Sequence, residues 1–387
     1  MPRLIRKLPP EAKLAYLLGV VVVLFALADP VVILALLAIQ TGIWLGSGIG
    51  FGPLKRIFKR LALLFSVIAL AYAFVATGQG DTDQWLAVTL GPASFAINLS
   101  GLHLAGLMCL RVLVLVMASA WVQQSGRPGD FMEALTSFRV PRFLAASIDG
   151  TLRLAAGGRG GGTGRGWGGK VTTGLSFEQI RRGKLSVVQE LVERNLTRAQ
   201  DFVAENNPAL ERELARDVAI IMGVAAAIMS LKMLQVMPGL PIAPGHKNVL
   251  IIPFFLLAAS LTRMRLGGLW AGVTTGAVSV MLGFGKYGVL EIAHFAAPGL
   301  LADLLLPVVG RRQSRWLTLV GFALVGAIMG AGRFAANFLV IVLAGAPGLA
   351  FVLYLPMLLS QIAFGTVSAF VTLVLLNRPA ADYSGRP

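Results

Sequence analysis

This sequence has little of what soluble domains rest on. Only 13% of its 387 residues are charged, about half the usual soluble share, while 56% are hydrophobic and the mean hydropathy is +0.77. It has one cysteine, Cys109, set inside an apolar run, which excludes a disulfide framework and a thiolate metal site. With three histidines and 18 acidic residues against 34 basic ones, there is little material for paired-carboxylate or His-rich catalysis, so a lipid-modifying membrane enzyme is a minor alternative and no catalytic residue is assigned. The net charge of +16 does not imply a nucleic-acid partner, because Lys and Arg collect in the cytoplasmic loops of membrane proteins. The basic start "MPRLIRK" leads into apolar sequence without a small-residue cleavage site, and reads as a signal anchor.

What is present is apolar sequence in lengths that fit a bilayer, whose core of about 30 Å takes roughly 20 helical residues. The fold class expected is all-α, a polytopic helical membrane protein with about ten transmembrane helices. Four fall near 12–28, 31–50, 60–77 and 97–122; six fall near 217–237, 248–263, 267–284, 288–309, 315–344 and 349–377. The stretch 123–212 between the four-span and six-span halves is too polar to cross. With both termini in the cytoplasm, "GPLKRIFKR" (52–60), the long basic stretch, "TRMR" (262–265), "GRRQSR" (310–315) and Arg378 all fall inside. The acidic "GQGDTDQW" (78–85) and the loops 238–247 and 283–288 fall outside. A multi-pass protein of the bacterial cytoplasmic (inner) membrane, with the lipid bilayer as its surroundings, follows.

Within the polar stretch, residues 155–170 read "AAGGRGGGTGRGWGGK". "GRGWGGK" matches the first part of a P-loop, but Val171 stands where Ser or Thr must hold magnesium, and no strand precedes it. Two GRG units without aromatic repeats do not make an RNA-binding tract. The segment reads as a flexible cationic linker beside anionic lipid.

Residues 101–141, "GLHLAGLMCLRVLVLVMASAWVQQSGRPGDFMEALTSFRVP", resemble the transmembrane T component of energy-coupling factor (ECF) transporters. Arg111, Ser119, Pro128, Asp130, Ala134, Leu135 and Pro141 occupy the places of that family's pattern. The resemblance implies coupling helices after this point, whose arginines dock on two ABC-type ATPase subunits. No cofactor is then bound by this chain, and ATP and Mg are used by the partners. The helix expected over 176–205, with Ser176 as N-cap and Leu185, Val188, Leu191, Val192, Leu196 and Phe202 at helical spacing, offers Arg181, Arg182, Gly183, Arg194 and Arg198 for that docking. The six C-terminal spans resemble the substrate-binding S component of the same transporters. Ala215, Ala219, Gly223 and Ala227 recur every four residues, a small-residue stripe that lets another helix approach closely; the resemblance implies that it packs on the T component. The domains expected are 1–122 (T-like spans), 123–212 (coupling region with the linker 155–170), 213–379 (S-like six-helix domain) and the tail 380–387.

Ionisable groups at membrane depth face a cavity or a partner. Glu291 and His294 lie one helical turn apart in the outer leaflet of the eighth span. Arg333 and Asn337, about 25 Å and 31 Å along the ninth, reach the same depth, so Glu291 and Arg333 are expected to pair. His246, Lys247 and Asn248 from one outer loop, with Lys286 and Tyr287 from the next, complete a substrate-binding set that suits a small anionic or zwitterionic solute. No regular ligand spacing supports a metal site. Asp303, deeper, is expected to cap or pair with "GRRQSR". The function implied is the membrane subunit of an ECF-type ABC importer for a vitamin, a vitamin precursor or a metal ion. A secondary transporter working without ATPases is the other class, though the halves show no inverted repeat.

Overall fold

The computed structural model describes residues 8–48 apart from 28, scattered positions between 52 and 74, and then 84–90, 93–125, 130–155, 185–207, 210–233, 248–282, 291–309, 315–343 and 354–376. The expected span at 60–77 is only partly among them, and the linker 156–170 and the tail lie outside. The chain is an all-α polytopic membrane protein. In chain order the helices are α1 (Pro10–Ala26), α2 (Pro30–Gly46), α3 (Leu99–Ser125), α4 (Asp130–Ser137), α5 (Arg142–Ala155) and α6 (Leu185–Asn206). They continue as α7 (Arg212–Met233), α8 (Asn248–Leu261), α9 (Gly267–Met281), α10 (Glu291–Leu305, extended by a 3-10 turn to Val308), α11 (Arg315–Leu343) and α12 (Tyr354–Leu376). Among the described residues five stretches are long and apolar enough to cross a membrane, in α3, α7, α10, α11 and α12; α2 and α8 are shorter apolar helices.

One departure from the expected pattern precedes α3. Residues between the expected outer loop (78–85) and the expected span (97–122), with the ends of both, pair as an antiparallel hairpin, β1 (Trp85–Leu90) with β2 (Ala93–Asn98), in register from Trp85↔Asn98 to Leu90↔Ala93. β-Branched and aromatic residues such as Val88, Phe95 and Ile97 favour a strand, and Gly91-Pro92 punctuates the sequence between. The hairpin ends where Asn98, fully buried, accepts a hydrogen bond from the Gly101 backbone N–H at 2.9 Å and so caps α3.

Two glycine seams fix how the C-terminal helices meet. On α9, Gly268, Gly272 and Gly276 recur every four residues, and a Cβ on each would stand 2.3–2.7 Å from the backbone of α10 at Gly299, Phe295 and Ile292. On α11, Gly326 and Gly330 press in the same way on Gly365 and Gln361 of α12, at 2.2 Å. Only glycine admits such approach, which lets lipid-embedded helices gain close backbone packing without a hydrophobic driving force.

α7 joins the two halves. Its N-terminal part packs with α5 and α6 around Ala146, Ala199, Val203, Val218, Ala219 and Met222. Its C-terminal part enters the core of α8, α10 and α11 through Ile220, Val224, Ala227 and Ile228. The stripe of Ala215, Ala219, Gly223 and Ala227 thus has an observed neighbour: a Cβ on Gly223 would stand 2.8–2.9 Å from Leu196 of α6. α9 also reaches the N-terminal half, where Ala277, Val278, Met281 and Leu282 join the core of α1–α5 and Trp270 meets Phe143 edge-on at 5.2 Å.

Candidate functional site

The six C-terminal helices are almost wholly apolar, yet each carries a polar group to one end of their bundle. Lys232 is next to last in α7, Asn248 opens α8, Ser279 lies near the end of α9, Glu291 opens α10 with His294 one turn on, Arg333 sits two-thirds along α11, and Gln361 lies in the second turn of α12. Chain direction alternates from helix to helix, so these positions fall at one depth. Asn248, Ser279, Glu291, Arg333 and Gln361 are all buried, Arg333 at 6% exposure.

The contacts form a relay. Gln361 Oε1 accepts from Asn248 Nδ2 at 3.0 Å, which turns Asn248 Oδ1 towards Arg333, where it accepts from Nη1. The guanidinium Nε donates to His294 Nε2 at 3.0 Å, and Nη2 lies 2.9 Å from the same atom. An imidazole nitrogen that accepts carries no proton, so His294 is held as the neutral Nδ1–H tautomer. Lys232 donates to Ser279 Oγ at 2.9 Å and lies 3.4 Å from Glu291 Oε1. The Phe295 ring, fully buried, faces both cations, with Lys232 Nζ 4.5 Å and Arg333 Cζ 5.7 Å from its centroid, within the reach of a cation–π contact.

The structure thus gathers four of the nine expected binding residues, Asn248, Glu291, His294 and Arg333. Asn337, one turn past Arg333 on α11, is half-buried, and among the described residues it has no hydrogen bond to the cluster. His246, Lys247, Lys286 and Tyr287 lie outside the described residues. The expected Glu291–Arg333 ion pair is not formed: Glu291 takes Lys232 instead, and Arg333 feels its charge only as a Coulombic attraction at longer range. Lys232, Ser279, Gln361 and Phe295 went unread in the sequence. Lys232 and Gln361 could have been found by extending the depth count to every span, since each is a lone polar group within an apolar helix.

At the opposite end of the bundle two carboxylates, the buried Asp217 and the half-buried Asp303, hold the α8–α9 turn. Asp217 of α7 accepts from the Arg263 backbone N–H at 3.1 Å to each oxygen and from that of Met264 at 2.8 Å. Asp303 of α10 accepts from Gly268 and Leu269 N–H at 2.9 and 2.8 Å. Asp303 therefore does cap a helix, the start of α9, while residues 310–314 of "GRRQSR" lie outside the described residues. The N-terminal N–H groups of a helix are free and carry partial positive charge, which is why a carboxylate on a neighbouring helix settles there.

Of the residues proposed for docking, Arg181, Arg182 and Gly183 lie outside the described residues, as does the start of the expected helix at Ser176. Arg194 and Arg198 are exposed on α6, Arg194 paired with Glu190, while Leu191, Val192, Leu196, Ala199 and Val203 bury the other face. In the N-terminal half Arg111 is half-buried on α3 and its Nε has no hydrogen-bond partner among the described residues. Lys13 of α1 reaches the backbone oxygen of Ser125 at 2.9 Å, beside the edge-on pair Tyr16–Trp121 at 5.3 Å. Among the described residues no three of His, Cys, Asp and Glu gather to hold a metal ion.

Neither the curated proteins nor the solved structures compared with the chain give a match. Residues 1–154 match the family model described as "CbiQ: Cobalt transport protein", a match that runs from the N-terminus through α5 and leaves the six-helix half outside it. Apolar helices that fit a bilayer, the T-component pattern at 101–141 and this match agree: the N-terminal part of the chain is similar to the T component of ECF-type transporters.

Proposed function

We propose that the chain is a T component and a substrate-binding S-like half in one polypeptide, the membrane subunit of an ECF-type importer in the bacterial inner membrane, working with two ABC-type ATPases. The observation that carries the reading is the convergence of polar side chains from all six C-terminal helices on one end of the bundle. By the distribution of Lys and Arg in the loops that end faces outward, where a solute is first met. The solute is small: a vitamin, a vitamin precursor or a metal ion such as the cobalt in the matched family's name.

ATP hydrolysis belongs to the partners. α6 presents Arg194 and Arg198 to solvent and packs its apolar face on α7, so a push on α6 is felt where Leu196 abuts Gly223. α7 runs from there to Lys232 in the polar cluster, giving the ATPases a continuous packed route to the solute site. The boundaries at 122 and 212 and the tether 155–170 belong to this same proposal.

Copurification tests it. Coexpressed with candidate ATPase subunits, the intact chain should retain two of them through detergent extraction. Replacing Arg181, Arg182, Arg194 and Arg198 together with Ala should remove them while leaving the melting curve of the chain unchanged. A chain that moves solute alone in sealed liposomes, without ATPases, would sink the reading.

A further inference from the structure

The charge balance of the polar cluster points to the chemistry of what enters it. Arg333 is 6% exposed, and a guanidinium carries five N–H donors that cannot be shed by deprotonation. Its acceptors among the described residues are two neutral atoms, His294 Nε2 and Asn248 Oδ1. No carboxylate there forms an ion pair with it, since the nearby one, Glu291, is engaged by Lys232. Among the described residues, Lys232 and Arg333 against Glu291, with His294 neutral, leave one net positive charge in a low-dielectric site. A buried charge without a counter-ion is among the most unfavourable arrangements in a folded protein, and in a membrane such a residue faces a ligand path. The neighbouring groups do not relieve the charge; they aim it. Gln361 orients Asn248, and Asn248 and His294 fix the plane of the guanidinium, whose five N–H donors outnumber these two acceptors.

We propose that this cluster receives the carboxylate of a small organic anion, with Arg333 as its principal partner. The inference rests on the reading of the six-helix half as the solute-binding part. A guanidinium fork matches the geometry of a carboxylate and can bind it through two parallel hydrogen bonds. The incoming charge brings the cluster to neutrality. A divalent cation meets the opposite situation, a site already positive that offers one carboxylate and an imidazole nitrogen turned to Arg333.

Thermal unfolding of the purified full-length protein in detergent tests this, with sodium acetate and sodium nicotinate as probes against sodium chloride at matched ionic strength. Nicotinamide and cobalt chloride serve as counter-probes. The carboxylates should raise the wild-type midpoint by about 2 °C or more, and nicotinamide should not. Asn248→Asp sets a fixed carboxylate against Arg333; it should raise the midpoint of the ligand-free protein and abolish the carboxylate response. Arg333→Met should abolish the response and leave the ligand-free midpoint unchanged or higher, because it removes an uncompensated buried charge. No carboxylate response in the wild type, an equal response in both variants, or a ligand-free Arg333→Met protein that melts well below wild type would each overturn the inference. Stabilisation by cobalt chloride with the carboxylates inert would overturn the anion and leave the importer standing. Loss of copurified ATPases with the carboxylate response intact would do the reverse.

Discussion

The two ends of the six-helix half bury charge in opposite ways. At the α8–α9 turn, Asp217 and Asp303 are saturated: each carboxylate accepts from two backbone N–H groups that have no other use. At the other end Arg333 has more donors than its two neutral acceptors can serve. Both arrangements put an ionised group into the bundle, but only the first is complete within the protein. A saturated buried charge serves the fold, by fixing a turn and starting a helix. An unsaturated one leaves work for something else, and its cost is carried by the rest of the structure, here by the glycine seams and the apolar packing around Phe255, Phe295 and Met329.

The comparison predicts its largest effect at the saturated end. Asp217→Ala strands the Arg263 and Met264 N–H groups and should destabilise the protein by about 2–3 kcal/mol, read as a lower unfolding midpoint or a lower denaturant midpoint in detergent. Asp217→Asn, which still accepts, should lose about half as much. If Asp217→Ala were neutral while Arg333→Met were severely destabilising, the assignment of fold to one end and ligand to the other would be inverted.

A step smaller is the seam that supports the open end. At Gly330 a side chain would meet the Gln361 backbone oxygen at 2.2 Å, so Gly330→Leu must push α11 and α12 apart. Overpacking of this kind costs about 1–3 kcal/mol. It should also loosen Gln361, and through it Asn248, so that the carboxylate response weakens beyond what the stability loss explains. Gly268→Leu, at the far end of the α9–α10 seam, serves as the control: a similar stability loss is expected with less effect on the response, since Gly299 and not the polar cluster stands behind it.

Much of this was legible from residue types. Runs of about 20 apolar residues located apolar helices, five of them among the described residues long enough to cross a membrane, and the T-like pattern at 101–141 fell inside the stretch that matches a transport family. Depth counting along helices brought Asn248, Glu291, His294 and Arg333 to one level, because the rise per residue is fixed. It failed on who pairs with whom. Depth says nothing about azimuth, and the rotation of each helix is set by seams such as Gly268/Gly272/Gly276 whose partner cannot be read from one helix alone. Depth alone places Lys232 at this level as well, but does not tell that it is Lys232 that takes Glu291 away from Arg333. The hairpin at 85–98 was missed because its residues are as apolar as a span, and short apolar runs do not declare helix or strand.

The smallest effect on stability, and the finest separation of the two ends, is expected from Lys232. It is about a quarter exposed, and its contact with Glu291 is long at 3.4 Å, so solvent screens the pair and Lys232→Gln should change stability by no more than about 1 kcal/mol. Its effect on the anion comes from charge. Removing Lys232 takes the cluster from one net positive charge to neutral and frees the Glu291 carboxylate to turn towards Arg333, forming the pair that depth alone had suggested. A solute carboxylate would then compete with one supplied by the protein. The carboxylate response should therefore fall sharply in Lys232→Gln and return in Lys232→Gln/Glu291→Gln, where the net positive charge is restored without the lysine. If the double variant stayed unresponsive, Lys232 would itself hold the anion, and the principal partner would be the ammonium and not the guanidinium.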